Sequence, residues 1–206
     1  MNLVMNLKMT MVISRYRENL DWLKELPWNY IIYDKGEDNL PSWVKNVVKL
    51  PNIGRESHTY LAYIIDNYDN LPDYTIFLQD KPLDHSKELI KKINNFKGEC
   101  DFFALSDDIL YADGYGGPHH FGLKIAESAR KIFLNKIDFF EFPAGAQFIV
   151  SKKAILFHAK MTYQRIMDFM IREKPYVEDE YRFFSPWVLE RLWKTLFDME
   201  HKTIYD

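Results

Sequence analysis

Short, nearly continuous apolar runs that break abruptly into polar clusters constrain this chain more than any other feature. MTMVISRY (9–16), WNYIIYDKGED (28–38), YTIFLQ (74–79) and DFFALSDD (101–108) all follow that pattern. A short third strand is expected within 43–54, and AGAQFIVSKKAI (144–155) reads as a sixth strand turning into a helix. Helical spacing of apolar residues fills much of the rest, over 17–26, 55–71, 85–96, 123–134, 162–173 and 183–197. Pro186 is acceptable in the first turn of the last of these. Strands that are apolar throughout are those covered on both faces. Their alternation with helices predicts an α/β fold with a mostly parallel central sheet. Such folds bind ligands at the carboxyl ends of the strands, and here those ends read SRYR, DKGED, QDKPLDH and SDD.

At 206 residues, with 47% hydrophobic and 16% aromatic content, the chain suits one domain with a packed core. No internal repeat, low-complexity tract or Gly/Ser/Pro linker divides it. A net charge of −3 supplies no basic field for a polyanion. Cys100, the single cysteine, excludes an intramolecular disulfide and a cysteine-rich zinc site, as suits a reducing compartment. The start, MNLVMNLKMTMV, has neither a basic leader region nor a small-residue cleavage site. No run reaches the roughly 18 apolar residues of a membrane span. The expectation is a cytoplasmic protein whose first ten residues are dispensable, with Met5, Met9 and Met11 as further possible starts. Motifs of the P-loop, dinucleotide, α/β-hydrolase and zincin classes do not occur.

Several constellations carry possible chemistry. In LPNIGRESHTYL (50–61), Asn52 and Gly54 precede a helix whose first turn holds Arg55 and Glu56, which suits a phosphate or an ordinary helix start. In QDKPLDH, Asp80, Asp84 and His85 offer donors that suit Mg²⁺ or Mn²⁺, although Asp84 serves equally as a helix cap. Asp107 and Asp108 repeat the acidic strand end one strand later. GYGGPHH reads as a glycine-rich flap with two exposed histidines, His119 and His120. Gly145 marks a strand start that permits close approach of a ligand. Glu190, among Trp187, Leu189, Leu192 and Trp193, is a candidate base.

Taken together, ISRYRENLDWL, IYDKGED, LPNIGRESHTYLAYIIDNYDNLPDYTIFLQDKPLDH, GAQFIVSK and LERLW resemble a family of uncharacterised domains of bacteria, fungi and large DNA viruses. That family includes the GT-A-fold N-terminal domain of a chlorovirus glycosyltransferase. The resemblance implies a single GT-A-like, Rossmann-like domain that moves a sugar from a nucleoside-diphosphate sugar, a UDP-sugar by preference. Ser14, Arg15, Tyr16 and Asp34 would hold base and ribose, Arg55 would face the diphosphate, and Asn52, Gln79 and Gly145 would complete the donor site. Mn²⁺ or Mg²⁺ would sit on Asp80, Asp84, His85 and Asp107. Gln79-Asp80-Lys81 stands where such enzymes carry Asp-x-Asp. Asp108 or Glu190 would act as base toward a glycan, protein, lipid or modified-DNA acceptor. Two other readings stand beside this one: a non-catalytic nucleotide-sugar-binding module, and a metal-dependent phosphohydrolase built on Asp80, Asp84, His85 and Asp108.

Overall fold

A computed structural model of the chain describes residues 7–79, 81–172 and 175–206, the Glu25 side chain excepted. Its centre is a six-stranded sheet of β1 (Met9–Arg15), β2 (Asn29–Asp34), β3 (Val47–Lys49), β4 (Tyr74–Leu78), β5 (Phe102–Ala104) and β8 (Phe148–Ser151), in the order β3-β2-β1-β4-β8-β5. β3, β2, β1 and β4 run parallel, while β8 lies antiparallel to both β4 and β5. The chain steps from β1 outward through β2 to β3, then returns through α1 (Arg55–Asn67) to β4 on the other side of β1. That reversal makes the β1/β4 border the topological switch point, where the loops diverge and open a crevice at the strands' carboxyl ends.

Alternate strand residues face opposite layers, as the pleat requires. Val12, Phe77 and Phe148 join the larger apolar core with Tyr60 and Tyr63 of α1, Tyr163 of α5 (Lys160–Ile171), and Leu189 and Trp193 of α6 (Pro186–Phe197). Met11, Ile13, Ile76 and Ile149 face the other way, onto Leu20, Leu23 and Leu26 and onto Leu89 and Ile93 of α2 (Leu89–Asn95). Both sheet faces are therefore covered, which explains the continuous apolar strands. Aromatic rings fill the larger layer, with Tyr60 against Phe77 at 4.6 Å and Phe148 against Phe197 at 5.6 Å between centroids. Each such buried ring contributes on the order of 1.5–3 kcal/mol by leaving water.

Several expected elements differ. The helix over 17–26 shrinks to a 3₁₀ turn at Asp21–Glu25. The Glu18 carboxylate accepts the Tyr16 and Arg17 N–H groups, and the Asn19 side chain accepts that of Asp21. These local bonds compete with helix formation at its start. The helix over 85–96 begins only at Leu89, because Ser86 Oγ donates to the Leu105 carbonyl and Lys87 N–H to Asp107. A two-stranded sheet, β6 (Ile109–Asp113) with β7 (Phe139–Pro143), occupies positions for which no strand was expected. The helix over 123–134 is reduced to α3 (Ile125–Ala129). The sixth strand turns, as expected, into a short helix, α4 (Lys152–Leu156), capped by the Ser151 hydroxyl. β1 already includes Met9, which is buried, so the strand takes in part of the segment expected to be dispensable. Residues 1–6 lie outside the described set. Among the described residues, no helix is long and apolar enough to cross a membrane.

Candidate functional site

A two-part cleft opens where the switch point predicts. The inner part, about 140 Å³, is lined by Arg55, Glu56, Gln79, His85, Gly145, Pro186, Trp187 and Glu190. The outer part, about 220 Å³, runs over Ser14, Arg15, Tyr16, Lys35, Asn52 and Glu178. Arg55, Glu56 and Gln79 line both, so the two hollows form one continuous crevice. A wider hollow of about 760 Å³ lies at the opposite end of the sheet, around Met9, Asn29 and Pro72. It gathers fewer charged side chains and sits at the strands' amino ends, the end that α/β folds do not use for ligands.

The entry to α1 sets the cleft's geometry. Gly54 and Arg55 both take left-handed conformations, with φ of 61° and 45°. For Arg55 that conformation costs on the order of 1 kcal/mol and is held by its surroundings. Lys35, buried after β2, supplies the brace, its ammonium donating to the Ile53 carbonyl at 2.8 Å and to that of Arg55. Burial pushes the Lys35 pKa down to about 8, against the pull of Glu56 and Glu178. The result exposes the Arg55 guanidinium, which lies 5.3 Å over the Trp187 ring of α6. Arg55 thus reaches across the cleft at a helix N-terminus, where first-turn N–H groups favour an anion.

Two carboxylates share the inner part. Glu190 Oε1 accepts the Gly145 N–H at 2.6 Å, and Oε2 is bound by the buried Arg191 guanidinium. Glu56 is only 14% exposed, and its Oε2 lies 3.9 Å from Arg55 Nε. Burial, reinforced by the charge of Glu190, pushes the Glu56 carboxyl up to about 7, opposed by its own backbone N–H, Arg55 and Lys35. Gly145 has φ 73°, and a Cβ there would come within 2.6 Å of the His85 ring and 2.8 Å of Gln79 Nε2. The absent side chain therefore keeps the floor of the cleft open. Behind α1's first turn, His58 is held neutral: burial, then the Lys35 charge, drop its pKa to about 4.

The expected site residues divide by this geometry. Ser14, Tyr16, Asn52, Arg55, Gln79, His85, Gly145 and Glu190 all line the cleft. Arg15 also lines it, but its guanidinium is spent on Asp34 at 2.9 Å and Asp38 at 2.6 Å. Asp34 is fully buried and bound by Arg15, Lys49 and the Gly36 N–H, so it belongs to the wall's support instead of a ribose contact. Asp84 lines a separate apolar hollow with Trp22, Pro82 and Leu83. Asp107 pairs with Lys92 at 2.7 Å and accepts the Lys87 N–H, and the Lys92 hydrogen bond holds its pKa low. Asp108 is exposed at the edge of β6 and is not among the lining residues. Asp80 lies outside the described residues.

The metal expectation rests on Asp80, which lies outside the described residues, together with Asp84, His85 and Asp107. Among the described residues, no group of three or more His, Cys, Asp or Glu side chains gathers closely enough to hold an ion. Asp84, His85 and Asp107 face different neighbours. The glycine loop carries hydrogen bonds of its own, and none of residues 113–122 is among those lining the cleft. The Asp113 carboxylate accepts the Tyr115 and Gly117 N–H groups, and the His120 N–H closes onto the Gly116 carbonyl. His120 Nε2 lies 3.2 Å from Glu180. Sequence reasoning passed over Glu56 and Lys35 as site residues. A first-turn acid reads as a dipole complement, and a lysine beyond a strand reads as solvated.

No curated protein and no solved structure matches the chain. The sequence model of one family does, over residues 11–107 and 118–205, leaving out only the end of β6's approach, β6 itself and the first part of the glycine loop between them. With most of its length matched, the chain belongs to the family described as protein of unknown function DUF3431.

Proposed function

We propose that the cleft binds a nucleoside-diphosphate sugar, a UDP-sugar by preference, and that the protein transfers the sugar to an acceptor hydroxyl as a GT-A-like glycosyltransferase. One observation carries the reading: at the switch point of a mostly parallel sheet, Arg55 and the N-terminus of α1 face the same crevice as two glutamates. The helix end and guanidinium suit the diphosphate, whose charge grows as it departs. The carboxylates suit sugar hydroxyls and the acceptor proton. Trp187, at the far wall, offers an apolar face to a sugar or base ring. A metal-free binding module remains the second reading, favoured by the scattered placement of Asp84 and Asp107.

A thermal-shift screen of UDP-, GDP- and dTDP-sugars, with and without Mn²⁺, tests the proposal. A donor that binds only the folded chain raises the midpoint by mass action. Arg55→Ala is expected to lose that shift while keeping the ligand-free midpoint, since the Arg55 side chain is exposed. Absence of a shift from every nucleotide sugar in the panel overturns the transferase reading. Binding without release of nucleotide in the presence of any acceptor moves the assignment to the binding module.

A further inference from the structure

Glu56 and Glu190 stand in one cleft in different states of engagement. Both oxygens of Glu190 are occupied, one by the Gly145 N–H at 2.6 Å and the other by Arg191. Arg191 is itself buried, lies 4.7 Å over Phe142 and donates to the Trp187 carbonyl at 2.8 Å. Glu190 is therefore locked in place, and its lone pairs point into the protein's own donors. Glu56 is held more loosely: besides its own backbone N–H, Ser57 Oγ is 3.4 Å from Oε1, and Arg55 Nε is 3.9 Å from Oε2, beyond hydrogen-bond range.

A poorly paired carboxylate in a mostly buried position is costly and is rarely retained without a role. The groups that face it are Arg55 from its own helix, Lys35 from beyond β2, Glu190 from α6, His85 from beyond β4 and Glu178 at the outer rim. Burial and Glu190 together outweigh the cations and bring its carboxyl to about 7. A base works best there, where it is both substantially ionised and strong enough to take a proton.

Resting on the transferase reading, we propose that Glu56 is the catalytic base and that Glu190 is a positioning residue. The acceptor hydroxyl oxygen forms its bond to the anomeric carbon as its proton passes to a Glu56 carboxylate oxygen. The bond from the anomeric carbon to the diphosphate oxygen breaks, and its electron pair leaves with the diphosphate. Arg55 and the first turn of α1 receive that charge. Glu56 then returns its proton to water. Glu190 fixes the Ala144–Gly145 turn, whose bare Cα keeps the site open beside His85 and Gln79. A single displacement of this kind inverts the anomeric configuration.

The test uses water as acceptor and the UDP-hexose that gives the largest thermal shift, with release of UDP followed from pH 5.5 to 9. The wild-type rate is expected to fall roughly tenfold per pH unit below about 7 and to level off above it. Glu56→Gln should lower the rate about 100-fold or more and erase that acidic limb, while calorimetric UDP affinity stays within about threefold, a change of less than about 1 kcal/mol. Glu56→Asp should recover part of the rate, and Glu190→Gln should slow turnover yet keep the limb. The released hexose should first appear with inverted configuration by NMR. A wild-type profile flat from pH 6 to 8, a retained configuration, or a limb lost in Glu190→Gln but kept in Glu56→Gln overturns the base assignment. If no nucleotide sugar binds at all, the transferase reading itself falls, which the binding measurement registers separately from turnover.

Discussion

The two walls of the cleft hold similar charges in opposite ways. At the ends of β1 and β2, Arg15 and Asp34 are both held by partners of opposite sign. Asp34 is bound by Arg15, Lys49 and the Gly36 N–H, and Arg15 by Asp34, Asp38 and the Glu18 carbonyl. Gly36 lets the chain pass over this knot, since a Cβ there would fall 1.7 Å from the Tyr16 carbonyl oxygen. Across the cleft, at the start of α1, compensation is partial. Glu56 lies 3.9 Å from Arg55 Nε, beyond hydrogen-bond range, and the Arg55 guanidinium lies over the Trp187 ring. Saturated charges hold a wall in place. Unsaturated ones keep the free energy with which a ligand is bound or a proton moved.

Breaking the saturated wall should produce the largest effect. Asp34→Ala strips Arg15 and Lys49 of a fully buried partner, and urea unfolding should show a loss of about 3–5 kcal/mol. A loss below about 1 kcal/mol would show that this wall is not the rigid one. The unsaturated wall should respond with the opposite sign. Glu56 has a folded-state pKa of about 7 against an ordinary value of 4.5, so the native state holds its proton through that window and loses stability as pH rises. Glu56→Gln should therefore be stabilising at pH 8, by up to about 3 kcal/mol, and near neutral at pH 4. Equal effects at both pH values would place the Glu56 carboxyl in an ordinary environment. The smallest effect belongs to the exposed rim. Asp107→Asn removes one solvent-exposed ion pair with Lys92 and should leave both melting midpoint and donor binding unchanged. Weakened binding with Mn²⁺ would return Asp107 to the site.

How much of this was legible follows from the range of the interactions involved. The strands at 9–15, 29–34 and 74–78 were readable because burial on both faces leaves an uninterrupted apolar run. The sequence also marked Arg55 by its place at a helix start, Gly145 by its place at a strand start and Glu190 by its apolar helical setting, and the family resemblance added Gln79. β6 and β7 escaped because their outer faces, with Tyr111 and Phe139 exposed and stacked at 5.4 Å, lack the alternation of a half-buried strand. Asp84 and Asp107 misled because an acidic residue after a strand looks the same whether it faces a cleft, a lysine or solvent.

The sequence by itself determined the fold class, the mostly parallel character of the sheet and the end at which the cleft opens. Those properties follow from periodicity and element order, which are local. Only the tertiary structure decided which charges are spent and which are left over. Arg15 and Asp34 meet because β1 and β2 pair in register. Glu56 and Glu190 face one cleft because α1 and α6 pack on the same side of the sheet. The pKa of a carboxyl depends on burial and on neighbours far away in sequence, so the difference between a brace and a base at this site exists only once the chain has folded.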